Sequence, residues 1–413
     1  MPRGGSDRPR FPAMFSPRVK AGVFVLEGLN AYATTVYFTY LFFFMRERFG
    51  FGNLENLALG ALNGAVYAVW VALAGRYAQR RGYFHALKLG FAVMGVLMVV
   101  GSTLDSVAGH RLTMLLWTLG IGLTWPALEA IPSEQEPPAR LQRLLGIYNV
   151  VWSAGSGLAT FSGGLILEHL GPRGIFLLPA ALHAVQIALV VGLERAHRHA
   201  GGATRPGPPP AMDSGAGAAP RAEPGPVPRT VFLRMAWIAN PLAYVAVNAI
   251  IPVIPGLAHK FALSPAWAGV FCSAWALARA AGFWVFWLWA GWHYRFRWLA
   301  GAYLAMVISF TLVLRSNHLG VLVAAQVVFG LCLALIYSSS LFYSMDVGET
   351  KGEHGGLHEA AIGAGLFGGP ALSAASLYFF PGVTAANAWA VTAVLLGGLG
   401  WLLALRTRHG HSR

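Results

Sequence analysis

The sequence predicts an all-α membrane protein of twelve spanning helices in two six-helix bundles, and three observations carry that prediction. Of 413 residues, 56% are hydrophobic and only 11% charged, against about 25% charged in an ordinary soluble domain. The apolar residues fall in runs long enough to span, which takes about 20 residues each. A polar Pro- and Gly-rich stretch divides those runs into six and six. This composition excludes a soluble globular enzyme, a disordered chain and a nucleic-acid-binding domain. Barrel strands are excluded because they alternate apolar and polar over about ten residues, whereas these runs are continuous.

Residues 1–20 are basic and lack the apolar core and cleavage site of a signal peptide. The expected helices of the first half are 20–45, 54–75, 84–103, 111–131, 143–167 and 174–193. Those of the second half are 231–258, 264–290, 297–314, 319–345, 357–380 and 384–405. Residues 195–230 contain Arg205-Pro-Gly-Pro-Pro-Pro-Ala and cannot bury a core, so they read as a flexible linker between bundles 1–194 and 231–413. Cys272 and Cys332 both sit in apolar runs and imply neither a disulfide framework nor a metal cluster.

The balance of 30 Lys and Arg against 16 Asp and Glu gives +14. With an even number of helices, 23 of the 30 basic residues fall on the side of the termini and 6 on the other, leaving Arg279 inside a span. The positive-inside rule therefore places both termini and the linker in the cytoplasm, in a cell (inner) membrane. The charge reads as an orientation signal facing anionic headgroups, with no nucleic-acid partner.

The halves repeat. Gly120 with its neighbours corresponds to Gly330, and Gly155 to Gly365, both 210 residues apart; Gly75 and Gly291 lie 216 apart. Parallel six-helix repeats related by an axis along the membrane normal are the plan of one large transporter class. Between helices 2 and 3 stands Gly75-Arg-Tyr-Ala-Gln-Arg-Arg-Gly-Tyr-Phe. It resembles the G-x-x-x-D-R-x-G-R loop of the major facilitator superfamily, matching at Gly75, Arg80 and Gly82 and carrying Gln79 at the aspartate position. The helix 4 motif R-x-x-Q-G-x-G appears as Leu116 to Gly122 without its arginine. The helix 5 motif keeps Gly155, Gly163 and Gly164 but loses Gly-Pro, which helix 11 retains as Gly369-Pro370. The resemblance, over the whole chain, implies alternating access by rocking bundles, with close seams at helices 2/11 and 5/8 and with helices 3, 6, 9 and 12 peripheral. The eroded motifs are those associated with proton-coupled drug antiport.

An ionisable group inside a span is a functional candidate by default. Glu27 and Arg279 are the candidates for substrate or ion coupling. Arg279 could bind an anionic group, pair reversibly with Glu27, or form a permanent packing salt bridge; Glu27 could couple protons, pair structurally or be hydrated. His358 and Glu359, opening helix 11, read as a helix cap or, with Gly75, Arg80, Arg81 and Gly82, as a cytoplasmic gate. Glu129, ahead of Glu134, Glu136, Arg140 and Arg143, reads as a solvated helix end. Polar residues at helical spacing mark a cavity wall: Asn30 and Tyr37 on helix 1, Asn149 and Trp152 on helix 5, Asn240, Tyr244 and Asn248 on helix 7, Tyr337 on helix 10. Glu353, His354 and His358 sit on a Gly-rich loop, and neither a metal nor a cofactor is expected.

No enzyme motif occurs. The expected function is a monomeric secondary transporter of a small polar or anionic solute, coupled to protons or another ion as a symporter. The alternatives are a multidrug or metabolite efflux antiporter and a transporter-shaped sensor or scaffold.

Overall fold

The computed structural model describes residues 14–134, 136, 138–201, 227–347 and 351–410, and the side chains of 138, 139, 351–361, 409 and 410 lie outside that description. The chain runs through α1 (Pro17–Phe49), α2 (Asn53–Arg81), α3 (Tyr83–Gly101), α4 (Val107–Ser133), α5 (Pro138–Leu170) and α6 (Gly174–His199). It resumes with α7 (Arg229–Lys260), α8 (Pro265–Leu288), α9 (Phe296–Arg315), α10 (Leu319–Val347), α11 (Lys351–Phe379) and α12 (Ala386–Gly410). Among the described residues eleven helices, all but α1, are long and apolar enough to cross a membrane. The 33-residue α1 is less apolar because Asn, Thr and Tyr interrupt its hydrophobic run.

Local chemistry sets the boundaries. Ser16 caps α1 by accepting from the Val19 backbone N–H, with Pro17 in the first turn, where a missing N–H costs nothing. Gly50 ends the same helix in the left-handed region at φ 69°. Gly82 turns the chain between α2 and α3 at φ 101°, a conformation that side-chain-bearing residues rarely adopt. Pro252 and Pro255 withdraw two backbone donors, and α7 passes through a 3-10 turn at Ile251–Val253. α8 is interrupted at Ser273. The polar segment read as a loop before helix 11 is instead helical from Lys351, so His358 and Glu359 lie beyond the first turn. Of the expected linker, 202–226 lies outside the described residues, and α6 continues to His199.

Contacts at the helix ends define two faces. At one, Phe15 ahead of α1 packs on Tyr83 and Phe84 of α3 and on His197 of α6. There Lys20 of α1 also pairs with Glu136 beside the start of α5. Arg229 of α7 pairs with Asp346 of α10 at 3.0 Å, and the Arg406 guanidinium of α12 lies over Phe296 of α9. We call this the near face. At the far face Arg48 of α1 pairs with Asp105 before α4, and Lys260 of α7 donates to the Ser316 carbonyl at 2.6 Å.

The repeat seen in the sequence recurs in these contacts. Lys20–Glu136 and Arg229–Asp346 are the same bond 209 to 210 residues on, and Tyr83–Glu134 corresponds to Tyr294–Asp346. α1 to α6 pack among themselves, as do α7 to α12, and the two groups meet chiefly through α2 against α11 and α5 against α8. Lipid offers no apolar driving force between helices, so close approach of small residues does the work. A Cβ on Gly64 of α2 would overlap the Leu366 carbonyl of α11, and one on Gly164 of α5 would overlap the Pro265 carbonyl of α8.

Candidate functional site

A cavity of about 190 Å³ lies between the two groups of helices, walled by α1, α2, α4 and α5 on one side and α7, α8, α10 and α11 on the other. Helical geometry selects what reaches it. At about 100° per residue, Glu27, Ala31, Thr34 and Phe38 of α1 stay on one face, and all four line the cavity. Asn30 and Tyr37 lie about 60–80° round from Glu27. They are buried in the first half, with Tyr37 packed on Trp117 and Phe176. Neither belongs to the wall that their three- and four-residue spacing suggested.

On α5, Tyr148 and Trp152 are four residues apart and both face the cavity. Asn149 lies beside them, accepts from the Trp152 indole at 3.0 Å, and lines a separate pocket of about 50 Å³ with Phe283 and Ser338. On α7, Tyr244 and Asn248 line the main cavity, whereas Asn240, one turn earlier, is buried outside it. Asn30 and Asn240 are repeat-related; Asn30 lies against the Glu27 carboxyl, whereas the Asn240 side-chain amide has no hydrogen-bond partner. Tyr337 of α10 completes the wall near Arg279.

The charged groups divide by half. Glu27 of α1 and Glu129 of α4 both face the cavity and act electrostatically on each other. Tyr148 hydrogen-bonds Glu27, and the second carboxylate oxygen of Glu27 has no partner. Glu129 is therefore not the solvated helix end read from its neighbours. The helix continues four residues past it to Ser133 and turns Glu129 inward, while Glu136 is taken up by Lys20 and by Arg140 at 3.4 Å.

Arg279 of α8 stands opposite. Its guanidinium carbon lies 4.5 Å from the Trp152 ring centroid, across the seam, and 4.9 Å from that of Trp275 on its own helix. Two indole faces over a desolvated cation contribute about 2 kcal/mol or more each. No acidic side chain pairs with Arg279 among the described residues, and its Nε has no hydrogen-bond partner. Glu27 and Arg279 thus share one cavity without forming the internal salt bridge that the sequence left open. Tyr148 lies on the wall between them, and Glu129 and Trp275 join the same set. The Tyr148–Trp152 spacing was visible in the sequence; Trp275 gave no signal, because tryptophan is common in apolar runs.

At the far face the two groups of helices are in direct contact. Glu168 at the end of α5 accepts from the Ser264 hydroxyl and the Ala266 backbone N–H, both at 3.0 Å, and so caps the start of α8 in the other half. Asn53 of α2 approaches Gly256 of α7 on the same face. At the near face Arg80 and Arg81 end α2 exposed, and a Cβ on Gly75 would meet open space. The side chains of His358 and Glu359 lie outside the described residues. No group of three His, Cys, Asp or Glu is placed to hold a metal ion among the described residues.

Residues 5–160 match the family described as the Major Facilitator Superfamily. An MFS-type efflux pump of Mycolicibacterium smegmatis is 28% identical over 151 residues, 35% of this chain and 35% of the pump. The tetracenomycin C resistance and export protein of Streptomyces glaucescens is 28% identical over 133 residues, 31% of this chain and 25% of that protein. The chain thus spans about a third of the first relative and a quarter of the second. The solved structure of the peptide transporter POT in complex with sulfate superposes over 95% of each chain with a TM-score of 0.69 at 17% identity, a likeness of fold.

Proposed function

The chain belongs to the major facilitator superfamily, and from that premise we propose that it is a secondary active transporter carrying a small polar solute by alternating access, coupled to protons. The supporting observation is that one cavity holds ionisable groups from both halves, Glu27 and Glu129 on one wall and Arg279 on the other. Buried charge is costly without a partner, so a cavity that keeps such groups unpaired has a use for them. In this reading α1 is the twelfth span. Both termini are cytoplasmic in the inner membrane, the halves 1–194 and 231–413 rock about the 2/11 and 5/8 seams, and the chain acts as a monomer. The far-face contact of Glu168 then closes the outside.

Symport is the first reading of the coupling. Export by antiport is supported separately by the two relatives, one named an efflux pump and one an export protein, and by four tryptophans in the cavity wall, Trp117, Trp125, Trp152 and Trp275. The sign of the proton flux separates the two. Purified protein in liposomes containing a pH-sensitive dye is challenged with a panel of polar solutes. Protons moving with the solute support symport, and protons moving against it support antiport. Glu27→Gln is expected to abolish solute-evoked proton flux; flux at the parent rate would sink the coupling role. Solutes that stabilise the protein but cross in neither direction would favour a non-transporting sensor.

A further inference from the structure

We infer that the cavity is built for a zwitterion of about single-ring size, whose ammonium end lies against Glu27 and Glu129 and whose carboxylate end lies against Arg279. This rests on the cavity being the solute site proposed above and adds the charge pattern and size of the solute.

The first argument is the placement of charge. Glu27 contacts Tyr148 and Arg279 contacts Trp152. Tyr148 and Trp152 are four residues apart on one face of α5, so the side chains that touch the two opposite charges sit on adjacent turns of one helix. Among the described residues Glu27 and Arg279 form no ion pair with each other. A solute with an ammonium at one end and a carboxylate at the other can make a charge-assisted hydrogen bond to each wall. A solute with only one charge would leave one wall uncompensated.

The second argument is unused hydrogen-bonding capacity at both ends. Oε2 of Glu27 accepts nothing, although the residue is only 2% exposed. Nε of Arg279, 8% exposed, and the indole N–H of Trp275, 5% exposed, donate to nothing. All three residues line the cavity, Glu27 on one wall and Arg279 with Trp275 on the other. An ammonium group between Glu27 and Glu129 would also relieve the repulsion between those carboxylates.

The third argument is size. A cavity of about 150 Å³ lined by apolar groups admits benzene, and this one measures about 190 Å³ with indole and phenol rings on its walls.

The test is equilibrium binding to the purified full-length protein, read by quenching of tryptophan fluorescence, with two matched trios. One is phenylalanine, 3-phenylpropionate and phenethylamine; the other is leucine, 4-methylpentanoate and 3-methylbutylamine. In at least one trio the zwitterion is expected to bind at least tenfold more tightly than either singly charged analogue. Arg279→Gln should lower zwitterion affinity to that of the amine and leave amine affinity unchanged, while Arg279→Lys keeps part of the preference. Glu27→Gln and Glu129→Gln should lower it towards that of the acid. An acid or amine that matches the zwitterion in both trios overturns the inference, as does a preference that survives Arg279→Gln. Binding of the zwitterion without flux in liposomes would fault the transport reading alone; flux of solutes with no zwitterion preference would fault this inference alone.

Discussion

Arg279 lies over the Trp152 ring across the boundary between the two halves, the guanidinium carbon 4.5 Å from the ring centroid. The contact joins α8 to α5 at the cavity wall. Unlike a salt bridge, the contact places no carboxylate on the guanidinium, and its Nε has no hydrogen-bond partner.

Replacing that ring therefore tests positioning. Trp152→Ala is expected to weaken solute binding about tenfold, or roughly 1.4 kcal/mol of binding free energy. Trp152→Phe keeps a weaker π face and should fall between the two. The measurement is solute KM in liposomes with the amount of folded protein held equal. Trp152→Ala at the parent KM would show that Arg279 is held by Trp275 alone.

Glu168 tests the far-face closure. Its carboxylate accepts two hydrogen bonds from the start of α8, each contributing about 0.5–1.5 kcal/mol. Glu168→Gln should therefore raise the fraction of time that face is open about two- to tenfold. Thr39 lines the cavity and is buried, and both native cysteines are buried. A membrane-impermeant maleimide added from the far side should label Thr39→Cys correspondingly faster in the Glu168→Gln background. An unchanged rate would remove Glu168 from the gate.

His293 gives a pH prediction. It lies in the turn between α8 and α9, stacked on Phe342 with centroids 3.7 Å apart. Burial pushes its pKa from 6.5 down to about 4, with Asp346 acting in the opposite direction. Between those values the unfolded chain holds the proton and the folded chain does not, so stability present above pH 6.5 is lost as pH falls towards 4. His293→Phe keeps the stack and removes the titration. Thermal unfolding should then fall less between pH 7 and 5 than in the parent, and an identical fall in both would assign the acid sensitivity elsewhere.

Much of the architecture was written in one dimension. Apolar runs set helix positions because a span must satisfy its own backbone, and the 210-residue repeat reappears as paired ionic contacts, Lys20–Glu136 and Arg229–Asp346. Glycines located the seams, since only they allow backbones as close as Gly64 and Leu366. The site was legible as far as a residue's type alone marks it. Glu27 and Arg279 stand out in any apolar run, whereas Asn30, Tyr37, Asn149 and Asn240 share composition and spacing with wall residues but face elsewhere. A polar residue at helical spacing has a face, and its sequence does not say towards what.

The sequence by itself determined that this chain is a repeated membrane helix bundle and which ionisable groups lie inside it, because hydrophobicity and buried charge are properties of residues. The tertiary structure decided that Glu129 joins Glu27, that Trp152 of one half covers Arg279 of the other, and that Glu168 reaches the start of α8. Each of these depends on the rotation of one helix about its axis and its distance from another, which are set by packing among many side chains and not by any local run.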